Sequence, residues 1–286
     1  MLTHIKITLL HCLPQHTLSK LTHLLTRIEF KPFKNLLIRL FIHAFHVDMS
    51  IAELENPDDY KSFNDFFTRK LKKDARKKIT DDDFILSPVD GAISQIGFIN
   101  VNQLLQAKNK IYTLEQLLGG DKNLADHFLN GCFATLYLSP RDYHRIHMPL
   151  TGRLIKSIYV PGKLFPVNKI GVDNVEQLFS RNERFISIFE TQHGLMAQIM
   201  IGAVLVGSME TVWLGEITPN KKRELTVTEY TKNSVQLNQG EEFGRFNMGS
   251  TVIILFQKGK LSWLPDIKKN HPIEVGQLLA NAISTV

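Results

Sequence analysis

The sequence predicts an α+β fold, a β-rich core behind N-terminal amphipathic helices. Two helical patterns of apolar residues stand together near the start of the chain. From Phe84 onward the apolar residues fall instead in short runs punctuated by Gly and Pro. These strand-like runs do not alternate regularly with helical ones, which argues against a doubly wound α/β sheet. With 286 residues, 43% of them apolar, the chain can bury a substantial core. No repeat and no Gly/Ser- or Pro-rich linker divides it, so residues 61–286 are expected to form one domain behind an N-terminal segment, residues 1–60. Cys12 and Cys132 lie far apart and form no metal-type pair. Neither a disulfide framework nor a zinc knuckle is indicated, and a reducing compartment fits.

Leu18, Leu21, Leu25 and Ile28 recur at helical spacing. Phe33, Leu36, Leu37, Leu40, Phe41, Ala44 and Phe45 do so behind Pro32, which suits a first helical turn. The formal net charge is +6, and Met1 to Val47 holds six Lys/Arg against the single acid Glu29. Such a block suits nucleic acid or an anionic membrane. Its large apolar neighbours favour the membrane, because a nucleic-acid arm would be more polar, so no nucleic-acid partner is expected. Arg39, His43 and His46 interrupt the second helix, leaving no uncharged run near the roughly 20 residues that span a bilayer. The segment is expected to lie on a membrane surface; packing on the core, or forming a dimer interface, is the alternative. The apolar stretch after Lys6 is short and lacks a small-x-small site, so no secretory signal is read.

Ser62 to Leu71 follows, a helix expected to dock Phe63, Phe66 and Phe67 into the core. Lys72 to Asp83 reads as a solvated connection. Cys132–Leu138, Leu154–Val160, Phe185–Glu190, Leu195–Val206, Leu225–Tyr230 and Thr251–Phe256 read as strands. One helical interruption is expected at Thr113–Leu118, where Thr113 and Gln116 have capping-box spacing and Gly119 can end the helix.

Three groups could carry chemistry. Gly249-Ser250 opens the apolar run Thr251 to Leu255. Glycine permits a bend at which the neighbouring hydroxyl can approach its carbonyl. Attack there turns the amide into an ester. Elimination then frees the upstream chain, and hydrolysis of the resulting dehydroalanine leaves a pyruvoyl group, an electron sink of a kind that enzymes otherwise obtain from a bound cofactor. Read alone, the tripeptide simply opens a strand. His144 and His147 stand three apart, bracketed by Pro140 and Pro149. They serve one site only if this segment is a turn or loop, because a regular strand would send them to opposite faces. A metal reading of His-x-x-His competes, but no further ligands stand at metal-type spacing, so no metal is expected. Asp90, in Pro88-Val89-Asp90-Gly91, either orients such a histidine or hydrogen-bonds its own turn.

Ser87 to Gly91, Tyr137 to Pro149 and Gly240 to Thr251 occur in that order, and together they resemble the bacterial phosphatidylserine decarboxylases. The resemblance runs from about Phe63 to about Phe256 and is most specific in the histidine segment. Met248 stands where the family usually has Leu, and Gln239 where Lys is common; neither change removes a reacting group. The resemblance implies a proenzyme that cuts itself between Gly249 and Ser250, into a β chain 1–249 and an α chain 250–286. Its cofactor would be the pyruvoyl group formed covalently from Ser250. Asp90, His147 and Ser250 would form the processing triad, and His144 would assist decarboxylation of phosphatidylserine to phosphatidylethanolamine. Further segments similar to the family are Pro161 to Asn168, Asn182 to Arg184, Gly202-Ala203 and Val206 to Ser208. In these, Leu164 and Phe165 are expected to line a lipid-facing mouth, while Gly202 and Ala203 allow close backbone approach. The family also suggests a homodimer and a peripheral place on the cytoplasmic side of the cell membrane. The alternatives are a serine hydrolase using Ser250, His147 and Asp90 without chain cleavage, and a non-enzymatic lipid-binding module.

Overall fold

The computed structural model describes residues 15–77, 79–108, 110–204, 208–217, 224–231, 235–247 and 251–283. Helices α1 (Gln15–Thr26), α2 (Lys31–Phe45) and α3 (Phe63–Phe67) come first. Strands β1 (Phe84–Leu86) to β4 follow, with β2 at Gly91–Phe98, β3 at Gln103–Ala107 and β4 at Lys110–Thr113. Then come α4 (Leu114–Leu117), α5 (Lys122–Asp126), β5 (Cys132–Tyr137), β6 (Arg145–His147) and β7 (Gly152–Val160). After α6 (Lys169–Asn174) and α7 (Leu178–Arg181) the chain returns as β8 (Arg184–Thr191), β9 (Gly194–Ile201), β10 (Met209–Thr211) and β11 (Gly215–Ile217). It continues through β12 (Thr226–Glu229), β13 (Gln236–Leu237), β14 (Glu242–Phe246) and β15 (Thr251–Phe256). It ends with β16 (Leu261–Trp263), β17 (Pro272–Ile273) and β18 (Leu278–Ala282).

The fold is α+β, and its centre is an antiparallel sheet in the order β12-β7-β8-β9-β15-β5-β2-β17, with β13 also on β7. Both faces are covered. Ala134, Leu136, Met196, Met200, Val252 and Ile254 face one apolar core, completed by Ile146 and Phe246 of the sheet β11-β10-β14-β6 and by Leu279 of β1-β18-β16. Ala197, Ile199, Ile253 and Leu255 face a second core, closed by Leu104, Tyr112, Leu114 and Phe179 from the β3–β4 hairpin and α4 to α7. This is why Thr251–Phe256 reads as an unbroken apolar run: every residue of β15 is buried, whichever way it points. The helix expected near Thr113 is present, with both capping-box bonds made. The strand expected over Leu195–Val206 stops at Ile201, since Asn182 donates to the Gly202 carbonyl (2.8 Å) and the Gly202 N–H goes to Glu183 (2.8 Å).

One end of the central sheet gathers the segments that drew attention in the sequence. Ala92, Tyr137, Thr251, Ile201, Arg184 and Val160 are successive register partners in a row across it. β5, β15 and β9 are neighbours there, and their sequence continuations β6, β14 and β10 are neighbours in the four-stranded sheet. Just beyond the row therefore lie Asp90 before β2, His144 between β5 and β6, Gly202 and Ala203 after β9, and Asn247 before β15. Gly249 and Ser250, the expected cleavage site, lie outside the described residues, as do Met248, Val206 and Gly207.

At the N-terminus, α3 does dock Phe63, Phe66 and Phe67, capped by Ser62, which accepts from the Asp65 N–H. The three rings form a third apolar cluster with Ile38, Val47 and Tyr60, joined by Leu37, Phe41 and Ile42 of α2. α1 is tied to β11 through His23 and Arg27 on Glu216 (2.7 and 3.1 Å). Lys34, counted in the basic block, is buried instead, its ammonium donating to the Asp58 carbonyl at 3.2 Å and to Asn35 at 2.5 Å. The opposite faces remain open: Leu24 is 67% exposed, Phe30 67%, Leu36 60% and Leu40 58%. Among the described residues no helix is long and apolar enough to cross a membrane.

Candidate active site

The histidine segment divides into a turn and a strand. Asp142 closes the turn by accepting from the Ser139 N–H at 2.6 Å, and its own N–H donates to the Ser139 carbonyl at 3.0 Å. Arg145 to His147 then pair with β14. The segment is therefore a turn or loop only as far as His144, and the two imidazoles reach different surroundings. His144 is fully buried, its ring 4.0 Å from that of Phe67. Its Nδ1 lies 2.8 Å from the Asp142 carbonyl, which can only accept, so Nδ1 carries the proton and Nε2 offers a lone pair. Among the described residues no group partners that Nε2. Burial pushes the imidazole pKa down to about 3, the Asp142 carbonyl opposing and the Arg69 charge adding to the fall, so His144 is neutral.

His147 lines a cavity of about 440 Å³ with Tyr143, Arg145, Gly240 and Glu242, faced by Lys70, Lys72, Lys73 and Lys77. Its Nδ1 is 2.9 Å from the Gly240 carbonyl and its Nε2 3.0 Å from the Tyr143 hydroxyl. Burial lowers its pKa, against the Gly240 carbonyl and the nearby Glu242 and Asp90 carboxylates, which raise it. The main chain of His147 is held from both sides, its N–H on the Pro88 carbonyl at 2.8 Å and its carbonyl accepting from the Gln198 side-chain amide at 3.4 Å.

Asp90 is held beside this histidine but not on it. Gly91 follows because a Cβ there, at φ +146°, would stand 2.2 Å from the Tyr137 carbonyl oxygen. The Asp90 carboxylate accepts from Arg76 Nε at 3.1 Å, from Arg76 Nη2, and from the Val275 N–H at 2.8 Å. The expected carboxylate–imidazole bond is not made, because Gly240 and Tyr143 already occupy both nitrogens of His147. Arg76, read in sequence as part of a solvated connection, is a half-buried partner of the site, and nothing in its charged surroundings could have singled it out. Asp90 lines a second cavity, of about 300 Å³, which shares Arg76 and Tyr143 with the first.

The described residues on either side of the expected cleavage site are held differently. Asn247 donates its N–H to the Ser208 carbonyl (2.9 Å) and its amide to Ser208 Oγ (2.7 Å), while its Oδ1 accepts from Asn64 of α3 (3.1 Å). Thr251 begins β15 between Tyr137 and Ile201, its hydroxyl buried and without a partner among the described residues. Helix α3, read as core alone, thus touches both His144 and Asn247. Leu164 and Phe165 are not at a mouth: both are buried, Phe165 within the second core, because Asn182 clamps the Phe165 N–H and carbonyl at 3.1 and 2.8 Å. Gly202 does lie in close approach, a Cβ there being 3.2 Å from the Glu183 carbonyl oxygen, and Ala203 is buried beside it. Among the described residues no three His, Cys, Asp or Glu are grouped to hold a metal.

A family profile described as "Phosphatidylserine decarboxylase" matches residues 63–281, and one described as "PSD" matches residues 5–46. Curated relatives agree over nearly the whole length. A phosphatidylserine decarboxylase proenzyme of Alkalilimnicola ehrlichii is 52% identical over 89% of this chain and 88% of its own. One of Alcanivorax borkumensis is 47% identical over 94% and 93%, and one of Photobacterium profundum 46% over 100% and 99%. With its histidine, aspartate and glycine segments gathered at one end of the central sheet and matches of this extent, the chain belongs to the phosphatidylserine decarboxylase family.

Proposed function

We propose that the chain is made as a proenzyme, cuts itself between Gly249 and Ser250, and converts phosphatidylserine to phosphatidylethanolamine with a pyruvoyl group formed from Ser250. The observation that carries this reading is the row at the sheet end. Three neighbouring strand pairs cross there between two sheets, with His144 in one crossing, Gly202 in the next and Asn247, Gly249 and Ser250 in sequence in the third. The residues present suit such a group: among the described residues, two buried polar atoms at this end of the sheet have no partner, Thr251 Oγ1 and His144 Nε2. When formed, the group supplies an electron sink for the bond to the departing carboxylate.

The chain's own residues supply proton handling. His147, neutral and reached from a cavity, is the base for the serine hydroxyl in self-cleavage, with Asp90 and Arg76 fixing the ground beside it. His144, neutral and dry, accepts a proton from the substrate ammonium at Nε2 and returns it to the carbon from which carbon dioxide has left. A lipid substrate accounts for the open apolar faces of α1 and α2. In this reading residues 1–60 form the membrane-associating segment and 61–286 the catalytic body, held peripherally on the cytoplasmic face of the cell membrane.

Intact mass on denatured protein tests the proposal. Two chains that divide after residue 249, the second with a blocked N-terminus, are expected. Ser250→Ala should give one uncut, inactive chain, because it removes both the attacking hydroxyl and the atoms that become the ketone. A single full-length parent chain that still releases carbon dioxide would overturn the reading.

A further inference from the structure

We infer that Glu216 is a positioning residue for self-cleavage: through the Ser208 hydroxyl it fixes Asn247, two residues before Gly249, and it ties that point to helix α1. The inference rests on the proposed cut between Gly249 and Ser250. The groups stand on one face of the four-stranded sheet. Glu216 lies opposite Glu210 and Glu210 opposite Arg245, and alternation puts Ser208 and Asn247 on the face that Glu210 and Arg245 share. Ile217, Met209 and Phe246 point the other way, into the first core. Arg245 holds Glu210 at 3.0 Å, which leaves Glu216, a like charge directly across the ladder, to find other donors. It meets three: the Ser208 hydroxyl, His23 Nε2 at 2.7 Å and Arg27 Nη2 at 3.1 Å. Burial alone would raise the Glu216 pKa, but these donors hold the carboxyl below its usual range, so at neutral pH it only accepts.

A carboxylate that only accepts gives the chain of hydrogen bonds one direction. The single hydrogen of Ser208 goes to Glu216, so the Ser208 oxygen is left to accept from the Asn247 amide at 2.7 Å. Asn247 Oδ1 is then the acceptor for Asn64 at 3.1 Å. Turning the Asn247 amide round would set its oxygen against a hydroxyl with no hydrogen left to give. Glu216 thus decides how this buried side chain sits, and the Asn247 N–H on the Ser208 carbonyl (2.9 Å) carries the choice to the main chain. Thr251, four residues on, is fixed between its two neighbouring strands. In the proposed reading the attacking hydroxyl and the attacked carbonyl lie in sequence between those two points, and holding both ends favours their close approach. After the cut, Asn247 and the pyruvoyl group belong to different chains, so the tie serves cleavage and not decarboxylation.

The experiment follows cutting of freshly translated full-length chain by intact mass, together with carbon dioxide released per cut chain. Glu216→Ala should slow cutting about tenfold, the effect of one hydrogen bond to a charged group, while release per cut chain equals the parent's. Cutting at the parent rate would overturn the inference. So would cutting and release per cut chain lowered together, because a general loss of structure acts on both. Ser208→Ala, a milder change that removes one hydroxyl, should slow cutting likewise, and a parent rate there overturns the inference even if Glu216→Ala does not fold. In the Ser208→Ala background Glu216→Ala should add nothing; effects that multiply would mean the carboxylate does not act through Ser208. Hydrogen exchange in uncut Ser250→Ala protein reads the tie without cutting. Adding Glu216→Ala should speed exchange of the Asn247 N–H about tenfold and leave that of Phe246, bonded to the His144 carbonyl at 3.1 Å, unchanged. Equal exchange at Asn247 with and without the carboxylate would again overturn the inference. Failure of the parent chain to cut at all would instead sink the proposed function, and would leave the exchange result to decide the tie.

Discussion

His144 and His147 stand three residues apart and use Nδ1 in the same way, each on a backbone carbonyl, yet their Nε2 atoms meet opposite conditions. One is buried behind Phe67 with no partner among the described residues; the other meets a phenol at the wall of an open cavity. The difference arises because the turn ends at residue 144 and the strand begins at 145, which sends the side chains to different neighbours. A dry lone pair suits proton transfer at a carbon, where water would compete for the same position. The other nitrogen is reached from a cavity, and in the proposed reading it must leave the Tyr143 hydroxyl before it can take a proton in self-cleavage. Two roles can then be divided between identical side chains by access alone.

The strongest way to break this comparison is to exchange the defects. His147→Ala should leave an uncut chain with no activity. His144→Ala should cut and yet lose about 10²- to 10⁴-fold in turnover, the range for losing a positioned acid–base group. Intact mass and release of carbon dioxide measure the two separately. An uncut His144→Ala chain beside a normally cut His147→Ala chain would reverse the assignment.

Phe67→Ala sharpens the same comparison from the protein side. The ring is fully buried among Phe41, Phe63 and His144, so its loss should cost about 3–5 kcal/mol in urea unfolding. Water entering the gap should let the His144 pKa rise toward the ordinary histidine value while that of His147 stays in place. Equal movement of both would mean that Phe67 does not define a separate dry compartment.

Local pattern made much of this legible in the sequence. The spacing of Leu36, Leu37, Leu40 and Phe41 marked α2, Thr113 and Gln116 marked the cap of α4, and the apolar run after Ser250 marked the central strand. The residues quoted around His144, His147 and Asp90 do meet at one end of the sheet. What local pattern could not carry is pairing across long separations. Arg76 looked like one cation among many until the fold brought Asp90 to it. Asn64 looked like a helix residue until Asn247 came within 3.1 Å. Phe165, apolar in a Gly/Pro-rich stretch, gave no hint that Asn182 would turn it inward.

The smallest effect is a pH dependence of stability, and it follows from the sealed site alone. The His144 pKa is about 3 in the folded chain and about 6.5 when unfolded. Between those values the unfolded state binds up to one more proton, so this group's contribution is complete above about pH 6.5, declines as the pH falls, and declines no further below about pH 3. The limiting slope is about 1.4 kcal/mol per pH unit. His147, whose pKa is also lowered, adds to the slope, and Asp142, whose carboxyl burial raises, opposes it. Both remain in a His144→Gln variant, so the difference between parent and variant isolates His144. Urea unfolding of uncut Ser250→Ala protein at pH 7 and at pH 5 should show the parent losing about 2 kcal/mol more than the variant over that interval. Equal losses would mean that the imidazole is protonated in the folded chain. A protonated His144 would arrive already carrying a proton and so could not take one from the substrate ammonium.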